Sequence, residues 1–366
     1  DRDVPVIDRQ GETIEEARAQ HDADAGGIRL LNSSPASSGA ADSINIFKNI
    51  ISGNTNGIGV LIDTTLGAAD SSGFIQLAGN IIGLNAKTDA TILAGSQRTG
   101  IRFETGTDIH IGGSNLDEGN VISGHQSTDP GDSGESEGIT MSNLDGVFIQ
   151  GNFIGTDKTG SIDFGNNTQG IEICSTSNPC GVAISINKNI YIGGPSSSQR
   201  NIISGNGNIS NGEGILLSDA ADVFILNNLI GTKANGNEAL PNNNGISVQG
   251  GSNISVLDNV ISGNNSAGVK LTEGVNPVSN FISLRNKIGV GIDGSTPVGN
   301  GSGFGIFNPG SADIEIGGTS LADANIISNN SQAGLVAFYI GNHLQIRNNY
   351  IGVLSDGTTP APNDTG

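Results

Sequence analysis

His110, Phe148, Tyr191 and Phe224 occupy the same place in four successive copies of a repeat, and they form the densest grouping of rings in the chain. Aromatic residues are only 4% of the sequence, so four on one row is a concentration. An outward row of rings can stack on sugars or seat a partner chain. It can equally stabilise the sheet that carries it, as cross-strand aromatic pairs do. Carboxylate chemistry has less to work with. Glycoside hydrolysis needs two carboxylates about 5–9.5 Å apart, which here means acids on one row, one or two repeats apart. The row of rings reads Asn45, Gln76, His110, Phe148, Tyr191, Phe224, Ser255, Ile282, Glu315, Gln345, with a single acid. A second row, read after a recurring Gly-apolar pair, runs Gly59, Arg102, Thr140, Glu172, Leu216, Ser247, Lys270, Phe307, Val336, again with one acid. A lyase would need a calcium-binding acid cluster beside a basic residue. The best pairs, Arg102 with Glu104 and Glu172 near Lys188, read as ordinary surface pairs. The richest acidic segment, 125–138, carries Asp129, Asp132, Glu135 and Glu137; it is a weak calcium candidate whose spacing matches no defined calcium loop. The four histidines are scattered, none in metal-ligand spacing with another.

These rows exist only if the chain stacks on itself. Ten times an asparagine is followed two residues later by isoleucine, and the sites alternate between two forms. The serine form begins at Asn49, Asn120, Asn201, Asn259 and Asn325, as in NIISGN; the glycine form begins at Asn80, Asn152, Asn228, Asn286 and Asn349, as in NFIGTD. Irregular spacing around a constant grammar means one unit stacked on its copies, with loops of free length. Apolar pairs such as Val147/Ile149 and Val223/Ile225 precede the asparagine, and a spacing of two places both on one face of a strand. At Asn120, Asn201 and Asn325 that pair is pushed back by an insertion, as in IGGPSSSQRN. Units of this kind close their edges by winding into a coil, each strand pairing with its equivalents above and below. Stacked about 4.8 Å apart, each asparagine amide can donate to the next carbonyl oxygen and form a ladder. Ten coils then span about 45–50 Å. Steps that leave the glycine form, at 40, 49, 31 and 39 residues, exceed most of those that leave the serine form, at 31, 32, 27, 27 and 24. Bulkier loops therefore recur every second coil and form a ridge.

A formal charge of −20, from 36 acids against 16 bases, argues against nucleic acid as a partner. No run of apolar residues is long enough to insert in a membrane. Cys174 and Cys180 enclose a short proline-bearing loop and are expected to form a disulfide, which suits an oxidising compartment.

The repeats IGGPSSSQRNIISGN (192–206), NFIGTDKTGSIDFGNNTQGI (152–171) and NLIGTKANGNEALPNNNGI (228–246) resemble those of bacterial secreted and surface right-handed parallel β-helix proteins. The resemblance implies an all-β, single-stranded solenoid of about ten coils over residues 44–366, and an extracellular or cell-surface location. Residues 1–43 read as a cap or leader, with a short helix over 12–24. The rod is expected to continue past residue 366 or to be covered there by another molecule. That family has no shared catalytic residues to carry over. The expectation is a non-enzymatic structural or adhesive protein without a cofactor, possessing calcium at most. Its partners are its own copies, stacked end to end, or a surface polysaccharide. The alternative is a polysaccharide lyase, a glycoside hydrolase or a carbohydrate-binding β-helix, since pectin lyases and polygalacturonases share this fold class. Neither the Asp-Asp pair nor the Gly-His-Gly of polygalacturonases is present.

Overall fold

The computed structural model describes residues 27–31, 43–54, 57–63, 74–85, 97–126, 136–174, 187–207, 212–310, 313–338 and 343–364. They form a right-handed parallel β-helix with three columns of strands. The aromatic sheet runs from Ile44–Phe47 to His343–Ile346 and carries the ring row. The short sheet consists of two-residue strands from Ile50–Ile51 to Tyr350–Ile351. The glycine-led sheet runs from Ile28–Leu31 to Leu335–Phe338. Every strand pairs in parallel with its equivalents in neighbouring coils, and one strand, Thr99–Gly112, runs unbroken from the glycine-led sheet into the aromatic sheet. The rod begins before the boundary read from the repeat. Ile28–Leu31, inside the segment read as cap or leader, pairs with Val60–Asp63. Residues 12–24 lie outside the described residues.

The period-2 apolar pattern turns one side of each strand inward. Val223, Ile225, Ile230, Ile215 and Leu217 are all fully buried, and their equivalents build one continuous core along the rod. Each such side chain contributes about 1.5–3 kcal/mol by leaving water.

The alternation of serine and glycine forms has a physical cause. The serine hydroxyl of one coil reaches the next coil's glycine turn: Ser204 Oγ accepts from Gly231 N and donates to Thr232 O at 2.8 Å. Ser123 and Ser262 make the same pair of bonds to the Gly155 and Gly289 turns. Those glycines are left-handed, with φ near +87°, and a Cβ on Gly155 would sit 2.2 Å from Ser204 O.

A second glycine column has a steric cause. A Cβ on Gly245 would meet Gly268 O at 2.5 Å, and one on Gly268 would meet Gly303 O at 2.9 Å. This column corrects the sequence reading at two coils. The glycine that stacks below Gly100 is Gly59, and the one above Gly268 is Gly303. The outward row therefore contains Leu61 beside Arg102 and Gly305 beside Lys270, where Gly59 and Phe307 were expected. Phe307 lies one row over, stacked on Phe338 with centroids 5.9 Å apart.

Candidate functional site

Each asparagine of the first ladder closes the turn after the aromatic sheet and is held by its neighbours. Asn201 Nδ2 donates to Asn228 Oδ1 at 2.9 Å, and Asn228 Nδ2 donates to Asn259 Oδ1 at 3.1 Å. The same Oδ1 takes the preceding asparagine's backbone N–H, as Asn228 N to Asn259 Oδ1 at 2.8 Å. The second amide hydrogen goes back to a strand carbonyl, as Asn228 Nδ2 to Ile192 O at 2.9 Å. Bonds of this kind link Asn49, Asn80, Asn120, Asn152, Asn201, Asn228, Asn259, Asn286, Asn325 and Asn349 in order.

A second column, which the repeat reading did not single out, closes the turn before the glycine-led sheet. Asn166, Asn206, Asn242, Asn264, Asn300, Asn330 and Asn363 form an equivalent ladder at 2.9–3.1 Å. Toward the N-terminus its members change type. Asn54 Nδ2 donates to Gln97 Oε1 at 3.0 Å, Gln97 Nε2 meets His125 Nε2 at 3.1 Å, and His125 Nδ1 meets Asn166 Oδ1 at 2.6 Å. Since Gln97 donates through Nε2, His125 Nε2 accepts and Nδ1 carries the proton. Burial pushes the His125 pKa down to about 4, and its bond to Asn166 only partly offsets this. The signal was present in the sequence. The last residue of NIISGN belongs to this column, whereas in the glycine form its equivalent comes 14 residues after the first asparagine, as Asn166 follows Asn152.

The structure brings His110, Phe148, Tyr191 and Phe224 onto directly paired positions of the aromatic sheet. Their centroids stand 4.8, 5.0 and 5.1 Å apart, with planes within 16° of parallel. Phe74 meets the edge of His110 at 6.0 Å. Inner ring faces are therefore turned to one another, and a ligand would reach ring edges or the outer face of Phe224, which lies beside Ser255. His110 also bonds Asp108 at 3.0 Å.

The acids are dispersed. Asp129, Asp132 and Glu135 lie outside the described residues. Glu137 is 2% exposed, and its carboxylate accepts the hydroxyls of Thr99 and Thr168. Lys188 pairs with Asp145 at 3.2 Å rather than with Glu172, which is buried on the glycine-led sheet. Arg102 pairs with Glu104 at 3.2 Å. Glu213, absent from the rows read in the sequence, is buried one coil beyond Glu172. Desolvation raises its pKa against hydrogen bonds from Ser247 and Asn244. Cys174 is 1% exposed; Cys180 lies outside the described residues, and their pairing stands as the expectation from sequence.

The ridge of longer loops is built from aspartate-led turns. Asp157 Oδ1 accepts the N–H groups of Ser161 and Ile162, and Oδ2 accepts the N–H and hydroxyl of Thr159. Asp293 and Asp356 make similar turns, and the Thr296 and Thr359 hydroxyls in particular hold their pKa values down to about 2. Successive loops are joined by backbone bonds, Ala234 N to Gly160 O and Ile292 N to Gly236 O. Beneath them Ala234 and Ile292 pack on an outward apolar row of the short sheet, Ile202, Leu229 and Val260.

Residues 118–300 match the model of the family described as periplasmic copper-binding protein (NosD). The chain is similar in structure to the Dettilon tailspike protein (gp208), at 13% identity and a TM-score of 0.28, over 93% of this chain and 66% of that one. No curated protein matches the chain.

Proposed function

This chain belongs to the NosD family, and from that premise we propose that it is a non-enzymatic rod working outside the cytoplasm, a structural or adhesive element that presents fixed loops and ring edges to a polysaccharide or another surface. The observation that carries this reading is the zipped ridge. Loops joined to each other every second coil, about 9.6 Å apart, over a double amide ladder, hold their exposed atoms at set spacing. A rigid display surface loses little freedom on binding.

The family's description names copper, and the described residues do not fit a copper site. Copper favours imidazole and soft sulfur donors brought together. Met141 is 1% exposed within the core, and both ring nitrogens of His125 are bonded, to Gln97 and Asn166. His110 and His343 stand in different coils, each paired with its own aspartate. Among the described residues no group of three histidine, cysteine or acidic side chains lies close enough to hold a metal.

Glu213 keeps the polysaccharide-active reading alive, because a carboxyl with a pKa raised by burial is the form in which an acid catalyst is kept. Incubating the chain with neutral and acidic polysaccharides, with and without calcium, separates the two. Retention without release of shorter sugars supports the rod. Release that Glu213→Gln abolishes assigns the function to the enzyme. End-to-end stacking of rods belongs to the same proposal, since exposed strand edges invite addition. Sedimentation that finds monomers alone at rising concentration would remove that part.

A further inference from the structure

Among the described residues, the ridge that covers the short sheet opens between its last two loops. By the pattern of the earlier loops, Ser355 stands where Ala234 and Ile292 stand, and its N–H should bond Gly294 O. Among the described residues no such bond joins them. Ser355 carries a polar side chain where Ala234 and Ile292 supply apolar cover. Beneath the gap the outward row changes from Leu229 and Val260 to Lys287, Ile326 and Tyr350. The opening is a cleft of about 380 Å³ lined by Arg285, Lys287, Leu321, Ile326, Tyr350 and Ser355. That volume is in the lower part of the usual range for small-molecule sites, about 300–1,000 Å³.

The two cations differ in availability. Arg285 is bidentate to Asp258, at 2.8 Å for both bonds, with Asp323 at 3.7 Å. Lys287 has no acidic partner among the described residues, while its stem packs 3.6 Å from the Cβ position of Gly294. Its ammonium is a compact point charge with free donors. Around it Leu321, Ile326 and the Tyr350 ring supply apolar and aromatic surface, and Ser355 supplies a hydroxyl.

We propose that this cleft binds a single six-membered ring carrying one carboxylate, its charge on Lys287 and its apolar face against Tyr350 and Leu321. The proposal rests on the reading of the rod as a binding element. A polyanion is disfavoured by the net charge of −20, which repels it at long range. One carboxylate meeting one lysine is not. The ring can come from a sugar acid or from an aromatic acid, and the probes distinguish these.

The chain has no tryptophan and three tyrosines, so a change in tyrosine emission that Tyr350→Phe removes reports on the cleft. Titration of the full chain with glucuronate, benzoate and glucose, followed by emission and calorimetry, is the test. Binding of glucuronate alone identifies a sugar-acid site, and binding of benzoate alone an aromatic-acid site. Lys287→Met, which keeps the stem and removes the charge, should weaken whichever acid binds by about tenfold or more. Ser355→Ile should close the gap as Ile292 does and abolish binding. Leu116→Ala, a fully exposed site remote from the cleft, should leave it unchanged. Binding of neither acid, glucose binding as tightly as glucuronate, or an affinity unmoved by both cleft variants would each overturn the site. Polysaccharide retention by a Lys287→Met chain that no longer binds the acids would leave the rod reading intact. Retention lost while acid binding persists would overturn the rod and keep the cleft.

Discussion

The two ladders run the same length of rod through corresponding turns, yet one is asparagine throughout and the other ends in Asn54, Gln97 and His125. The difference separates what the stack requires from what it commonly uses. Each rung must accept from the coil before and donate to the coil after. Asparagine does both with one rigid amide. Glutamine does so with a longer reach, and neutral histidine does so with its two ring nitrogens. Protonated histidine cannot, because it would turn an N–H toward the Gln97 amide. The first ladder is therefore indifferent to pH, and the second has one rung that is not.

Breaking the first ladder should have the largest effect. Asn228→Leu leaves one hydrogen of the Asn201 amide and the Asn201 N–H without an acceptor. At about 1–3 kcal/mol for each of these two buried orphans, a loss of about 2–6 kcal/mol is expected in urea unfolding. A loss below about 1 kcal/mol would mean that the ladder decorates a stack held by its aliphatic core alone.

The histidine rung comes next. In the folded chain His125 titrates at about 4 against an ordinary 6.5, so the unfolded chain binds more protons between those values. Stability from this group is complete above about pH 6.5 and is lost as pH falls to about 4, a change of about 3 kcal/mol. Thermal melts across that window should show a slope that His125→Asn removes, while the carboxylate contribution to acid unfolding stays. Equal slopes in both proteins would refute the assigned proton.

The smallest effect belongs to the ring row. Phe148→Leu removes two stacked contacts at about 0.5–1.5 kcal/mol each, a loss of about 1–3 kcal/mol. If ring edges are a partner surface, the same change also weakens polysaccharide retention. If retention is unaffected, the row serves the sheet alone.

The first ladder, the inward apolar pairs and the ring row were legible because each is defined within a few residues of an asparagine. Even the insertions before Asn120, Asn201 and Asn325 did not disturb them. The row through Gly59 and Phe307 is displaced at both places for a local reason: GIGV (57–60) and GFGI (303–306) each contain two Gly-apolar pairs two residues apart, and either satisfies the pattern. Only the clash of a Cβ with the next coil's carbonyl chooses Gly59 and Gly303. The second ladder was hidden by the glycine-form loop, which separates its asparagine from the motif, and by Gln97 and His125, which share its hydrogen-bonding role without its name. The cleft at Lys287 depends on a bond missing between loops two coils apart, a relation that no single repeat contains.

Local composition thus determined that this chain winds, which residues point inward, and where its rings fall, because strand periodicity and turn chemistry act over a handful of neighbours. Which carbonyl crowds which glycine, which proton His125 keeps, and where the ridge parts were decided only when coils came into contact. Those outcomes depend on distances between residues that are remote in the chain and adjacent across a single rung.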